Sequence, residues 1–110
     1  MTRTLWIKEE YLEHILKGEK TIEVRVAYPN ILRLQPGDII QLNERYAARI
    51  RRVAHYRTFE ELLQAEAVQA IAPHLSATEL LSTLRSIYPP DKEHLGAVAL
   101  ELQLTPTANV

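Results

Sequence analysis

Cysteine is absent from this 110-residue chain, which excludes disulfides, thiolate metal sites and a cysteine nucleophile. The four histidines, His14, His55, His74 and His94, show no metal-ligand spacing, so no metal is expected. A phosphate-cradling glycine loop, a dinucleotide fingerprint and a Gly-x-Ser-x-Gly elbow are all missing. The commonest hydrolase and nucleotide-cofactor readings fall with them, and no cofactor is expected. No apolar run is long enough to cross a membrane, and Glu9 and Glu10 interrupt any basic-then-apolar leader. A cytoplasmic location and no membrane partner are the expectation. Internal repeats, low-complexity tracts and linkers are also lacking. One domain over residues 1–104 is expected, with 105–110 as a frayed tail. Oligomeric state is not legible.

What the chain does contain is an ordinary globular mixture, 46% apolar and 25% charged. Its net charge of −1 argues against indiscriminate coating of nucleic acid. The distribution is uneven: residues 1–57 carry +4 and residues 58–110 carry −5. Either the basic half presents a face to an acidic partner, or the two halves neutralise each other.

Leu5-Trp6-Ile7 reads as a short strand. Tyr11, Leu12, Ile15 and Leu16 then mark a helix from about Lys8 to Lys17. Prolines and a glycine punctuate the middle of the chain, at Ala27-Tyr28-Pro29-Asn30 and Gln35-Pro36-Gly37-Asp38. Strands are expected over Ile39 to Leu42 and Ala47 to Tyr56, with Asn43-Glu44-Arg45 turning between them. Ile50 and Val53 are three apart, which requires a bulge near Arg51-Arg52. Thr58-x-x-Glu61 and Ser76-x-x-Glu79 are capping boxes that start two helices. Pro89-Pro90 stops the second, and Leu95 to Leu104 is the last strand.

The stretch with chemistry is Gly18-Glu19-Lys20-Thr21-Ile22-Glu23-Val24-Arg25. Gly18 suits the left-handed residue that closes a helix. Beyond it, Ile22, Val24 and Val26 alternate with Thr21, Glu23 and Arg25, so the aliphatics face a core and Glu23 and Arg25 share the opposite side. Lys20 stands at the mouth of this strand. Crowded by Arg25, it becomes a depressed-pKa amine suited to attack or proton transfer; paired with Glu23, it stays a cation that grips oxygen. Tyr88, before the prolines, is placed to cover a ligand with its ring or to anchor the helix end. Glu66 is placed to supply a second carboxylate or to be a plain surface residue. Arg49, Arg51, Arg52 and Arg57, interleaved with Tyr46, His55 and Tyr56, form a basic patch suited to stacking single-stranded RNA, or a charge-protected strand edge.

The pattern Gly-x-Lys-x-x-Glu-x-Arg at Gly18, Lys20, Glu23 and Arg25 resembles the signature of the ASCH domain family, small proteins with a PUA-like barrel. Gly37-Asp38, the run from Tyr56 to Leu63, Tyr88 and the run from Gly96 to Leu102 resemble the family in the expected order. The resemblance covers about Leu5 to Leu102 and is to the small single-domain bacterial type. It implies an α+β fold: a small closed β-barrel of five to six mostly antiparallel strands with peripheral helices. Because side chains fill so small a barrel, a ligand is expected outside it, between the motif strand and the helices.

The family is similar to PUA domains, which bind RNA. One bacterial subgroup hydrolyses N4-acetylcytidine, using a lysine that matches Lys20 to activate a threonine three residues on, assisted by a glutamate that Glu66 matches approximately. Here Glu23 stands where that threonine would be, and Thr21 lies one pleat earlier. Three readings are open. The first is a module binding RNA or a modified nucleoside through Lys20, Thr21, Glu23, Arg25 and Tyr88. The second is a metal-independent amidohydrolase in which Glu23 activates water, Lys20 polarises the acyl oxygen and Glu66 assists. The third is a protein-interaction, coactivator-like module.

Overall fold

The computed structural model of the protein describes residues 3–106. Five strands and six helices succeed one another among the described residues: β1 (Arg3–Leu5), α1 (Glu9–Leu16), β2 (Ile22–Val26), α2 (Pro29–Leu32), β3 (Ile39–Leu42), β4 (Tyr46–Tyr56), α3 (Phe59–Ala65), α4 (Val68–Ile71), α5 (Ala77–Ile87), α6 (Pro90–Glu93) and β5 (Ala97–Leu104). They form an α+β fold around one sheet in the order β1-β3-β4-β5-β2, in which β1 and β3 run parallel and every other pair is antiparallel.

Alternation along the strands divides the core between the two sheet faces. Leu12 and Ile15 of α1 meet Ile40, Ile50 and Leu100 on one face. Phe59, Leu62, Leu80 and Leu84 of the later helices meet Ile22 and Val24 on the other. β5 is covered from both sides, so Ala97, Val98, Ala99 and Leu100 are all buried. The ladder between β4 and β5 shifts register between Ile50 and Arg52, the bulge that the spacing requires. Ile50 is fully buried and Val53 packs partly buried against the same face.

The pairing does not close a barrel. Both β1 and β2 remain edges of the sheet, for local reasons. β1 is shifted toward the N-terminus from the expected Leu5-Trp6-Ile7 and ends at Leu5, in register with Leu42 of β3. Beyond it the Asn43 side chain takes the place of a strand: its Oδ1 accepts the Ile7 N–H at 2.6 Å and its Nδ2 donates to the Ile7 carbonyl at 2.8 Å. On β2, the outward carbonyl of Ile22 accepts from Lys20 and that of Val26 accepts the Tyr28 N–H. What crosses between the two edges is a side chain, Arg25 Nη2 donating to the Trp6 carbonyl at 2.7 Å.

Two helices depart from the expected punctuation. Pro29 and Pro90 begin α2 and α6, because proline's fixed φ suits a first helical turn and its missing N–H costs nothing there. Ser76 and Glu79 form the full capping box of α5. At α3, Thr58 accepts the Glu61 N–H at 3.0 Å, but the Glu61 carboxylate accepts from Arg57 instead, so only half of that box exists. At the C-terminus, Thr105 donates its N–H to the Ala47 carbonyl at 3.0 Å, while residues 107–110 of the expected frayed tail lie outside the described residues.

Candidate functional site: a clamped carboxylate at the edge of the sheet

Gly18 sets up the site. At φ +80° it ends α1 with the Gly18 N–H on the Ile15 carbonyl and the Glu19 N–H on the His14 carbonyl, the paired bonds of a Schellman turn. The chain reverses and delivers Lys20 inward, where only 4% of the residue is exposed. Its Nζ donates to the Ile22 carbonyl at 2.6 Å and the Ile71 carbonyl at 2.8 Å, and lies 3.1 Å from Glu23 Oε1. Three oxygens thus match the three hydrogens of an ammonium. The Tyr11 ring lies beside it, 5.7 Å from Nζ to centroid. Of the two sequence readings for Lys20, the geometry is that of the lysine paired with Glu23; Arg25 bonds to the carboxylate instead.

Glu23 is gripped from its other side by Arg25, whose Nε donates to Oε2 at 2.7 Å. Burial opposes ionisation of this carboxyl, but the charges of Lys20 and Arg25 with their hydrogen bonds outweigh it and hold the group below the usual carboxylate range. The clamp lies in a recess of about 290 Å³ between α1 and α5, whose walls include Trp6, Tyr11, Leu84, Ile87 and Tyr88. Tyr88 caps α5 and packs on Phe59 with ring centroids 5.8 Å apart. Burial, with Glu23 nearby and against Arg25, raises its phenol pKa, so the hydroxyl stays neutral.

The ladder adds a backbone element. Leu102 donates to the Thr21 carbonyl and Ala27 to the Gly96 carbonyl, which sets the phase of the β2–β5 pairing. By alternation Glu23 and Arg25 turn their peptide groups toward β5, and Val24 turns its N–H and C=O toward the open edge, where it lines the recess. Trp6, Tyr11, Ile87 and the Val24 backbone were not expected at the site from the sequence, which reads Tyr11 and Ile87 as helix core. The one available signal was Trp6, the sole tryptophan, left 62% exposed once β1 ends before it.

Other expected participants lie elsewhere. Glu66 ends α3 with its side chain only 5% exposed, and is neither in the recess nor a plain surface residue. Arg52 holds it through two bonds of 3.0 and 2.6 Å, and the Tyr56 hydroxyl donates to it as well. Position 66 follows the last turn of α3 and faces β4, which is why it cannot serve Lys20. Thr21 is exposed and lines a separate groove with Arg51 and Gln103. The basic patch is half-committed: Arg52 is tied to Glu66 and Glu101, and Arg57 to Glu61. Arg49 and Arg51 are exposed and form no ion pair among the described residues. These bridges join the basic half of the chain to the acidic half, so much of the charge asymmetry is cancelled internally.

No helix among the described residues is long and apolar enough to cross a membrane. The fold is similar to that of the hypothetical protein PH0355, known from a crystal structure, with a TM-score of 0.90 and 29% identity over 96% of this chain and 100% of that one. It is also similar to PF0455 from Pyrococcus furiosus, known from solution NMR, with a TM-score of 0.81 and 28% identity over 97% of this chain and 100% of that one. No protein of curated function matches the chain. The ASCH domain pattern matches residues 5–106, nearly its whole length, and the chain belongs to the ASCH domain family.

Proposed function

We propose that the protein binds a nucleoside or a single unstacked RNA base in the recess beside β2. The observation that carries this reading is the Glu23 carboxylate, fixed between Lys20 and Arg25 at the wall of an aromatic-lined pocket. An ionised, immobilised acceptor suits an exocyclic amino group, and charge-assisted bonds of this kind contribute about 1.5–3 kcal/mol. The Val24 N–H and C=O offer a donor and an acceptor to the same base edge. Trp6, Tyr11 and Tyr88 supply ring surface for stacking. At about 290 Å³ the recess is at the small end of ligand pockets, which argues for one nucleoside unit over a polymer track.

Lys20 and Arg25 therefore act by positioning Glu23, and Tyr88 forms the lid side of the pocket. Exposed Arg49 and Arg51 would add phosphate contacts if the base belongs to RNA. The amidohydrolase reading draws less support. The Glu23 oxygens are both engaged by cations, and Glu66 and Thr21 are outside the recess.

The sole tryptophan makes the test direct, because Trp6 lines the recess and its fluorescence reports occupancy. Titration with cytidine, adenosine and N4-acetylcytidine should change the emission, while uridine, which lacks an exocyclic amino group, should bind at least about 10-fold more weakly. Glu23→Gln should remove that preference and Tyr88→Leu should weaken every ligand. Equal response to cytidine and uridine would end the reading, and release of cytidine from N4-acetylcytidine would replace it with the hydrolase.

A further inference from the structure

We propose that His14, Glu19 and His74 form a zinc-binding site that ties the end of α1 to the connection between α4 and α5. The three side chains offer two imidazole nitrogens and a carboxylate oxygen, all within 4.8 Å of one another. His14 Nδ1 lies 2.7 Å from Glu19 Oε1, and the two imidazole rings meet edge-to-face with centroids 4.8 Å apart. Nothing in the recess or the core uses these groups. The sequence hides the site because His14 and His74 are sixty positions apart, a separation no ligand-spacing rule covers.

The backbone holds all three ligands in place from both sides. The Gly18 reversal brings Glu19 back over the last turn of α1, with the Glu19 and Lys20 N–H groups both on the His14 carbonyl. Opposite, Thr21 donates to the Ala70 carbonyl at 2.9 Å and Lys20 Nζ to the Ile71 carbonyl at 2.8 Å, which pins α4 against the same segment. His74 comes three residues later, on a turn closed by the Leu75 N–H on the Ala72 carbonyl and by Gln69 Nε2 on the Leu75 carbonyl. Only side-chain rotation is left to bring the donors onto one ion, and Glu19 and His74 are exposed and able to rotate. Lys17, which adds positive charge near Glu19, is exposed and can turn into solvent.

Two imidazoles with one carboxylate suit Zn²⁺, which takes nitrogen at about 2.0–2.1 Å and carboxylate oxygen at about 2.0–2.2 Å. Three protein ligands leave the fourth tetrahedral position to water. On binding, each imidazole meets the metal through an unprotonated nitrogen and keeps its N–H on the other, while the carboxylate exchanges its contact with His14 for the ion. The bound ion clamps the α4–α5 connection, and with it the Ile71 carbonyl that anchors Lys20.

The test uses untagged protein stripped with a chelator. Calorimetric titration with Zn²⁺ should show one ion per chain, and Co²⁺ should develop the intense visible bands of a tetrahedral site. At zinc about 100 times Kd, Tm should rise on the order of 10 °C. His14→Ala and His74→Ala should each weaken zinc by at least about 10-fold and abolish the Tm rise, while His55→Ala and His94→Ala should leave both intact. All four positions lie outside the buried core, so these variants keep the fold. Failure to bind zinc, or binding that survives His74→Ala, would overturn the proposal.

Discussion

Lys20 is the residue on which local structure and site chemistry meet. An ammonium removed from water is costly unless its hydrogens and charge are matched, and here two carbonyls and a carboxylate do both. Lys20→Met keeps the stem but strands the Ile71 and Ile22 carbonyls and leaves Glu23 to Arg25 alone. It should destabilise the fold by about 3 kcal/mol, and a urea midpoint showing a loss below about 1 kcal/mol would contradict this account. A second residue-scale prediction concerns Glu44, which with Asn43 holds positive φ, at +59° and +53°, in the three-residue connection Asn43-Glu44-Arg45 between β3 and β4. Asparagine tolerates that conformation and glutamate resists it. Glu44→Gly should therefore raise stability, by about 0.5–1 kcal/mol, in the same denaturation measurement.

At the scale of elements, helix ends explain more than helix propensities. The reciprocal bonds of Ser76 and Glu79 satisfy two donors at the start of α5, at 3.1 and 2.9 Å. Ser76→Ala should cost about 1 kcal/mol. At α3 the Thr58 bond to Glu61 does comparable work, but the Glu61 side chain only pairs with exposed Arg57. Glu61→Ala should then leave the urea midpoint at the wild-type value, whereas Glu79→Ala should lower it. Equal losses in the two variants would show that the boxes are alike after all. The two four-residue motifs are indistinguishable in the sequence. What separates them is Arg57, whose N–H and guanidinium draw the carboxylate away from the cap.

Across the whole molecule, carboxylates are the groups that link folding to pH. Glu23, Glu66 and Glu93 are all held below the ordinary 4.5 because cationic partners and hydrogen bonds outweigh desolvation, Lys20 and then Arg25 at Glu23, Arg52 at Glu66 and Arg85 at Glu93. A depressed native pKa means the unfolded chain binds more protons, so stability rises with pH through that range. The contribution is complete above about 4.5 and is lost as pH falls through the lower native values. Urea midpoints measured from pH 7 down to pH 3 should stay level to about pH 5 and then fall. Glu23→Gln, though less stable at neutral pH, should show a shallower fall. A midpoint that rises on acidification would refute the assignment.

Helix closure at Gly18, the bulge beside Arg51, the start of α5 at Ser76 and the shared face of Glu23 and Arg25 were all legible in the sequence. Each depends on dihedral preference or on side-chain periodicity, which act over a few residues. The open sheet, the capture of Glu66 by Arg52 and the meeting of His14 with His74 were not. These are pairings between distant segments, decided by which groups the packed fold brings within about 3–5 Å. The chain by itself specified which residues could do chemistry; only the tertiary structure decided which of them share a site, because proximity across the sheet is set by packing.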